Sequence, residues 1–247
     1  MFKITMKVTV ITPVLNRAST ISRCINSVKS QDYKDIEYII IDGGSTDGTV
    51  EIIQSCSIQY TTEPDAGIYD AFNKGIRAAT GEIIHILNAD DMYAATDVVT
   101  RVVDHMTSLE LSICHGYVEQ INKTGQVIKR IGSDASKQEL LSKMVAAHPS
   151  AFIRKHNYLK YGDYSVGFKI AADHEFFLRV WNASHIGFLP IVITKMELGG
   201  ASNSQIELSY RESLSASILH GANPIKAIVR YYYERLKSAL PGVQPKP

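Results

Sequence analysis

The 247-residue chain carries almost no net charge: 26 Lys and Arg against 25 Asp and Glu leave +1 with histidine neutral. A nucleic-acid binder working through bulk charge is therefore excluded. Cysteine is scarce. Cys24, Cys56 and Cys114 are odd in number, far apart and without ligand-like pair spacing, so they read as reduced thiols of a cytoplasmic protein. No run reaches the roughly 18 apolar residues of a membrane span. The N-terminal residues Met1 to Lys7 lack a signal-peptide core and lead directly into a strand pattern. There is no internal repeat and no low-complexity segment. The expected location is the cytoplasm, in solution or at the inner face of the cytoplasmic membrane. What the chain has is 45% hydrophobic content, enough for one substantial domain with a helical appendage.

The first half alternates strands and helices. The apolar, β-branched run at 82–87 reads as a buried strand, and further strands are read at 8–11, 36–41 and 58–61. Helices are expected from about Ser19, with Ile21, Ile25 and Val28 at core spacing, from Thr49, and over 68–79. This alternation predicts an α/β fold with a doubly wound, mostly parallel sheet. From about Leu111 the pattern changes. Strands at 112–121 and 126–131 flank the turn Asn122-Lys123-Thr124-Gly125, a hairpin signal. A helix near 137–144, a short strand at 151–154, a helix at 172–183 and a strand at 191–198 follow. Two helices, 205–220 and 225–240, precede a Pro-rich tail.

The chemistry-bearing residues cluster in the loops after the early strands, where open α/β sheets bind their ligands. Leu87-Asn88-Ala89-Asp90-Asp91 ends the fourth strand, and Asn88 and Asp90 point the same way if strand geometry continues. Their oxygens, with Asp91 beside them, suit a hard divalent cation that also holds phosphate; an ordinary turn is the competing reading. Thr12-Pro13-Val14-Leu15-Asn16 and Asp42-Gly43-Gly44-Ser45-Thr46-Asp47-Gly48 belong to the same sheet edge. Neither is a Rossmann G-x-G-x-x-G fingerprint or a P-loop. In Glu63 to Gly75 a turn runs into a helix that places Asp70, Asn73 and Lys74 within one turn. A helix start bearing a lysine suits a pyrophosphate. Gly67 and Gly75 would be costly choices on a mere surface helix.

Strand-Thr-Pro-x-x-Asn, Asp-Gly-Gly-Ser-Thr-Asp-Gly-Thr, Glu-Pro-Asp-x-Gly-Ile-Tyr-Asp-Ala-x-Asn-Lys-Gly and Thr-Gly-Glu-Ile-Ile-x-x-Leu-Asn-Ala-Asp-Asp occur in that order. Together they closely resemble the family 2 glycosyltransferases of GT-A fold, in the branch that builds bacterial surface polysaccharides. The resemblance is dense over roughly residues 7–100 and sparser to about residue 200. It implies a GT-A-like domain over 1–204, with a nucleotide-sugar half at 7–110 and a smaller mixed acceptor and base half at 111–204. Residues 205–247 would then be a C-terminal helical extension.

The resemblance also implies roles. Thr12, Pro13 and Asn16 match the first nucleotide-contacting loop, Asp42 the acid on the uracil or ribose side, and Asn73 and Lys74 the helix facing the donor. Asn88-Ala89-Asp90 takes the Asp-x-Asp place with Asn for the first acid, which leaves Asp90 as the ligand for Mn²⁺ or Mg²⁺. Asp91 would assist the metal or face the sugar. Asp173 takes the place of the catalytic base in an inverting transfer, with an N-cap as its alternative reading. His174 and Glu175 are the fallback if the register slips, and His148 is an acceptor-side candidate. The implied reaction moves a hexosyl or N-acetylhexosaminyl group from a UDP-sugar to a lipid-linked or oligosaccharide acceptor. A sugar-phosphate nucleotidyltransferase and a catalytically silent nucleotide-sugar-binding subunit are the alternatives. In the last helix Ile225, Ile228, Val229, Tyr232, Leu236 and Leu240 share one side, with Lys226, Arg230 and Lys237 on the other. That pattern suits peripheral contact with anionic lipid and equally suits packing onto the domain or a second subunit.

Overall fold

The computed structural model describes residues 6–134, 136–198 and 205–239. The expected alternation runs through β1 (Val8–Val14), α1 (Ile21–Lys29), β2 (Ile36–Asp42), α2 (Thr49–Ser55), β3 (Gln59–Thr62), α3 (Ile68–Ala78) and β4 (Ile83–Ile86). These strands pair in parallel in the order β3-β2-β1-β4. Every residue of β1 is buried, as a strand covered on both faces requires. On one side Ile11, Ile39, Ile84 and Ile86 pack with Phe72 and Ile76 of α3. On the other, Val8, Val10 and Ile83 pack with Cys24 and Val28 of α1. The α3 helix lies so close to β1 that a Cβ at Gly75 would overlap the Ile11 side chain. Close approach thus accounts for a glycine that helix propensity disfavours by about 1 kcal/mol.

The second half adds β5 (Asp91–Tyr93), α4 (Val98–Ser108), β6 (Ile113–Ile121), β7 (Val127–Ile131), α5 (Lys137–Leu140) and the 3₁₀ turn His148–Ser150. Then come β8 (Phe152–Arg154), α6 (Lys155–Tyr161), α7 (Ala172–Val180), β9 (Ile186–Glu197), α8 (Ile206–Leu219) and α9 (Pro224–Ala239). The β6–β7 hairpin forms as expected. The β8 strand lies antiparallel between β4 and β6, β9 runs parallel to β6, and β5 closes the far edge antiparallel to β9. One nine-stranded sheet results, parallel in its first half and mixed in its second.

Three elements have no counterpart in the sequence-based expectations. The β5 strand is three residues long and owes its identity to pairing with β9. The composition of α4 is rich in Val and Thr, which favour strands, yet its buried Val98, Val99, Val102, Val103 and Met106 lie at helical spacing. The α6 helix follows β8 without a break. His85, in the core, has Nδ1 2.7 Å from the Tyr93 hydroxyl and Nε2 3.0 Å from the Pro149 carbonyl. Burial pushes its pKa down to about 3, so it is a neutral structural residue. Leu240, the Pro-rich tail, the expected boundary at 204 and the side chain of Lys237 lie outside the described residues.

Candidate active site

The loops after β1 and β2 are clasped to each other by their own polar side chains. The β1 strand continues past its expected end through Thr12 and Pro13. Pro13 faces the side where β4 has already ended at Ile86, so its missing N–H breaks no ladder bond. Asn16, with φ of 52°, donates its N–H to Ser45 Oγ (2.8 Å) and accepts from the Thr46 N–H at Oδ1 (2.8 Å). The Arg17 N–H donates to Thr49 Oγ1 (2.9 Å) and the Ala18 N–H to Asp47 Oδ2 (3.0 Å). Asp47 is therefore a clasp rather than a nucleotide ligand.

Several expected ligands turn out to build this frame. Thr12 is buried, its hydroxyl 3.1 Å from that of Tyr38. Pro13 is buried in the strand. Asp42, expected to contact base or ribose, is fully buried, and its carboxylate accepts from the N–H groups of Gly44 and Ser45 at 3.1 Å each. A carboxylate beneath successive backbone amides holds the turn in shape. Asn16 is the exposed member of the expected set on these two loops.

The 63–67 loop lies against the second loop. A Cβ at Gly43 would collide with the Asp65 carboxylate, so glycine there lets the two loops meet. Lys74 does not extend toward a donor: its Nζ lies 2.9 Å from the Pro64 carbonyl, 3.0 Å from Glu63 and 3.5 Å from Asp70, closing the loop onto α3. Asn73 is buried as well. Its Nδ2 donates to the Tyr164 carbonyl (2.8 Å) and its Oδ1 accepts from the Tyr164 N–H (2.9 Å), so it clamps the two halves of the chain. Both side chains thus make their contacts here within the protein.

Beyond β4 the Asn88–Asp91 turn separates its acids. The Asp90 side chain is 28% exposed and its carboxylate lies 3.8 Å from Arg17 Nε. Asp91 is 1% exposed and opens β5, with Oδ2 accepting from Asn88 Nδ2 (3.2 Å). Burial, followed by the neighbouring charge of Asp90, raises the Asp91 pKa well above the carboxylate range. Asp91 Oδ1, like Asn88 Oδ1, is buried without a hydrogen-bond partner. The turn is held by Arg23, which donates to the Asp90 carbonyl (2.9 Å) and to Glu197 at the end of β9 (2.6 Å).

No group of three or more His, Cys, Asp and Glu side chains fit to hold a metal occurs among the described residues. The donors at the turn are the accessible Asp90 carboxylate and, beneath it, the buried Asn88 Oδ1, which has no hydrogen-bond partner. This fits a cation of the Mg²⁺ type, which keeps water and takes its other ligands from phosphate. It does not fit a closed protein cage.

At the start of α7 three adjacent polar residues point three ways. His174 is buried, its Nε2 2.7 Å from the Leu140 carbonyl. Glu175 is buried among Arg179 (3.0 Å), His220 (2.9 Å) and Ser165 (3.2 Å). Neither faces an acceptor, so the fallback is withdrawn. Asp173 alone of the three is half-buried, and its Oδ1 lies 2.8 Å from the His174 N–H and 3.2 Å from the Tyr69 hydroxyl. It is not an N-cap, since Ala171 holds that position. Tyr69 stands on the first turn of α3, just beyond the 63–67 loop, and so ties Asp173 to the helix that follows β3, 104 residues earlier in the chain. His148 is buried, stacked on Phe72 (centroids 5.2 Å apart) with its edge to Tyr164. Burial lowers its pKa and the nearby Asp173 charge partly opposes that, so it is a neutral part of the aromatic floor beside Asp173.

Sequence reasoning missed Arg17, Tyr69, Glu197 and Glu212. Arg17 and Tyr69 sit inside motifs that were read for other residues. Glu197 and Glu212 carry no local signal, because their partners are remote in the chain.

The acidic turn follows the parallel strand β4, and Asp173 of the later half meets Tyr69 of α3, the helix after β3; the carboxyl ends of such strands are where open α/β sheets bind ligands. Residues 9–163, more than half of the chain, match the family model described as glycosyl transferase family 2, and the chain belongs to that family. It is 33% identical over 184 residues to an uncharacterised glycosyltransferase of Mycobacterium tuberculosis, covering 70% of this chain and 68% of that one. It is 28% identical over 241 residues to a PGL/p-HBAD biosynthesis glycosyltransferase of Mycobacterium bovis, covering 94% and 93%. Among solved structures, S. aureus TarS in complex with UDP-GlcNAc superposes with a TM-score of 0.72 at 16% identity, over 95% of this chain and 73% of that one. The mannosyltransferase PcManGT of Pyrobaculum calidifontis, in complex with GDP-Man and Mn²⁺, gives 0.65 at 16%, over 97% and 77%. At these identities the likeness speaks for the fold, which is GT-A.

Proposed function

We propose that this glycosyltransferase is inverting and moves a hexosyl or N-acetylhexosaminyl group from a UDP-sugar to a hydroxyl of a lipid-linked or oligosaccharide acceptor in bacterial surface polysaccharide synthesis. The observation that supports the reading is the half-buried Asp173 carboxylate, 3.2 Å from the Tyr69 hydroxyl at the start of the helix that follows β3. Asp173 takes the proton of the acceptor hydroxyl as its oxygen bonds to the anomeric carbon. The bond from that carbon to the diphosphate breaks on the opposite face, and the nucleoside diphosphate leaves with the electron pair. A divalent cation, Mn²⁺ or Mg²⁺, held by Asp90 and the diphosphate would neutralise the leaving charge. Arg17, exposed beside Asp90, suits the same phosphates. Asn16, at the rim, is the polar side chain of the first two loops best placed to meet the nucleotide.

UDP is favoured over GDP by the stronger of the two structural likenesses. A thermal-shift panel of UDP- and GDP-sugars with and without Mn²⁺ tests this. The expected result is stabilisation by a UDP-sugar that grows with metal; stabilisation by GDP-sugars alone, or by none, rejects the donor assignment. Product analysis separates the alternatives. Transfer releases UDP, a nucleotidyltransferase would release pyrophosphate, and a silent binding subunit would release neither.

A lipid-linked acceptor calls for a membrane surface, and no helix among the described residues is long and apolar enough to cross one. Contact would be peripheral, through α9. Its Ile225 (74% exposed), Val229, Tyr232 and Leu236 (70%) form one apolar strip away from the domain, with the exposed Lys226 and the half-buried Arg230 alongside. The opposite side of α9 packs on α8 through Tyr231 and Arg235 to Glu207. Apolar side chains flanked by cations match an anionic lipid surface. Co-flotation with phosphatidylglycerol-containing vesicles is expected, and the double substitution Val229→Glu, Leu236→Glu is expected to abolish it. A dimer that the double variant dissociates, with no flotation of the parent protein, would assign the strip to a second subunit instead.

A further inference from the structure

The backbone leading into α7 has no side-chain cap of its own, because Ala171 stands in the cap position. Three successive N–H groups are satisfied from elsewhere in the chain. Glu212 of α8 accepts the N–H of Lys169 at Oε1 (2.8 Å) and those of Ile170 and Ala171 at Oε2 (2.8 and 3.0 Å). The Ile170 carbonyl faces the other way and accepts from the Tyr69 hydroxyl at 2.6 Å. The segment Lys169–Ala171, which ends two residues before Asp173, is therefore gripped from both sides, by an anion on its amides and a hydroxyl on the Ile170 carbonyl. Hydrogen bonds to an ionised acceptor are short and strong, and an anion at a helix start is further favoured by the helix dipole. His220, immediately after α8, adds a second tie to α7 through the buried Glu175 (2.9 Å).

The geometry points to Glu212 as a positioning residue that sets where the Asp173 carboxylate stands, which makes the C-terminal helices part of the catalytic machinery and not an appendage. This inference rests on Asp173 as the base. Glu207, one turn earlier on α8, provides an internal control, because its carboxylate bonds Tyr231 and Arg235 of α9 and no residue of the segment before Asp173.

Steady-state kinetics of the full chain test the proposal with Glu212→Ala, Glu212→Gln, Glu207→Gln and Asp173→Asn side by side. Misplacing a reacting group by about 1 Å costs on the order of 100-fold in rate. Glu212→Ala is expected to lose kcat on that order while donor KM and the UDP-dependent thermal shift stay as in the parent. Glu212→Gln retains one acceptor oxygen and is expected to fall between the two. Glu207→Gln is expected to keep the parental kcat. Should Glu212→Ala fail to fold, the kcat-against-KM split of Glu212→Gln decides. Parental kcat in both Glu212 variants, an equal loss in Glu207→Gln, or a loss matching only the missing folded protein overturns the proposal. If Asp173→Asn keeps turning over, the base assignment falls and the positioning role with it. If Asp173→Asn is inactive and the Glu212 variants are not, the positioning role alone falls.

Discussion

Asp173→Asn is expected to lose sugar transfer by about 10³-fold or more, near the upper part of the range for removing a general base. The substitution is close to isosteric. An Asn oxygen still accepts from the His174 N–H and stands beside the Tyr69 hydroxyl, whose proton goes chiefly to the Ile170 carbonyl. The capacity to take up the acceptor proton is what disappears. On the proposed reading the donor is held by other elements, so the thermal shift produced by UDP with metal should match that of the parent. Transfer into a lipid extract, followed by UDP release, provides the measurement. Turnover within tenfold of the parent would reject Asp173 as the base, and the burial of His174 and Glu175 leaves neither neighbour to take over.

The second large effect belongs to Asp90→Ala. If Asp90 carries the cation, the variant loses the metal-stimulated part of UDP affinity, about 100-fold or roughly 2.7 kcal/mol. Without metal the sign reverses or vanishes. An unscreened carboxylate at the crevice repels a diphosphate, and its removal also frees Arg17, which now stands 3.8 Å away. Calorimetric titration of UDP in Mn²⁺ and in chelator thus predicts opposite responses from one substitution. Equal gains on adding metal in parent and variant would sink the ligand assignment.

The fold was legible wherever local pattern and tertiary environment agree. The strands β1 and β4 are buried along their whole length, and β2 in its second half, which leaves a plain trace in composition; the edge strand β3, Gln-Tyr-Thr-Thr, is polar and mostly exposed. The short β5 and α6 leave no such trace, since pairing and packing with distant residues define them. The motifs also placed the right loops on one sheet edge. They did not say which way each polar side chain turns. Asp42, Asn73, Lys74 and Asp91 are residue types that bind nucleotides and metals, and here each satisfies nearby backbone or side-chain groups. Asp173, His174 and Glu175 are separated by one residue each, and successive helix positions point about 100° apart. Packing against α5, α8 and Tyr69 chose among them, and nothing local to the three encodes that choice.

The turn that carries Asp90 belongs by sequence to the early part of the chain, yet Arg23 braces it against Glu197, 174 residues later, and its strand β5 pairs only with β9. During synthesis the ribosome must therefore deliver nearly four-fifths of the polypeptide before this corner has its brace. A nascent chain that already contains all four of the early motifs still has the acidic turn unsupported.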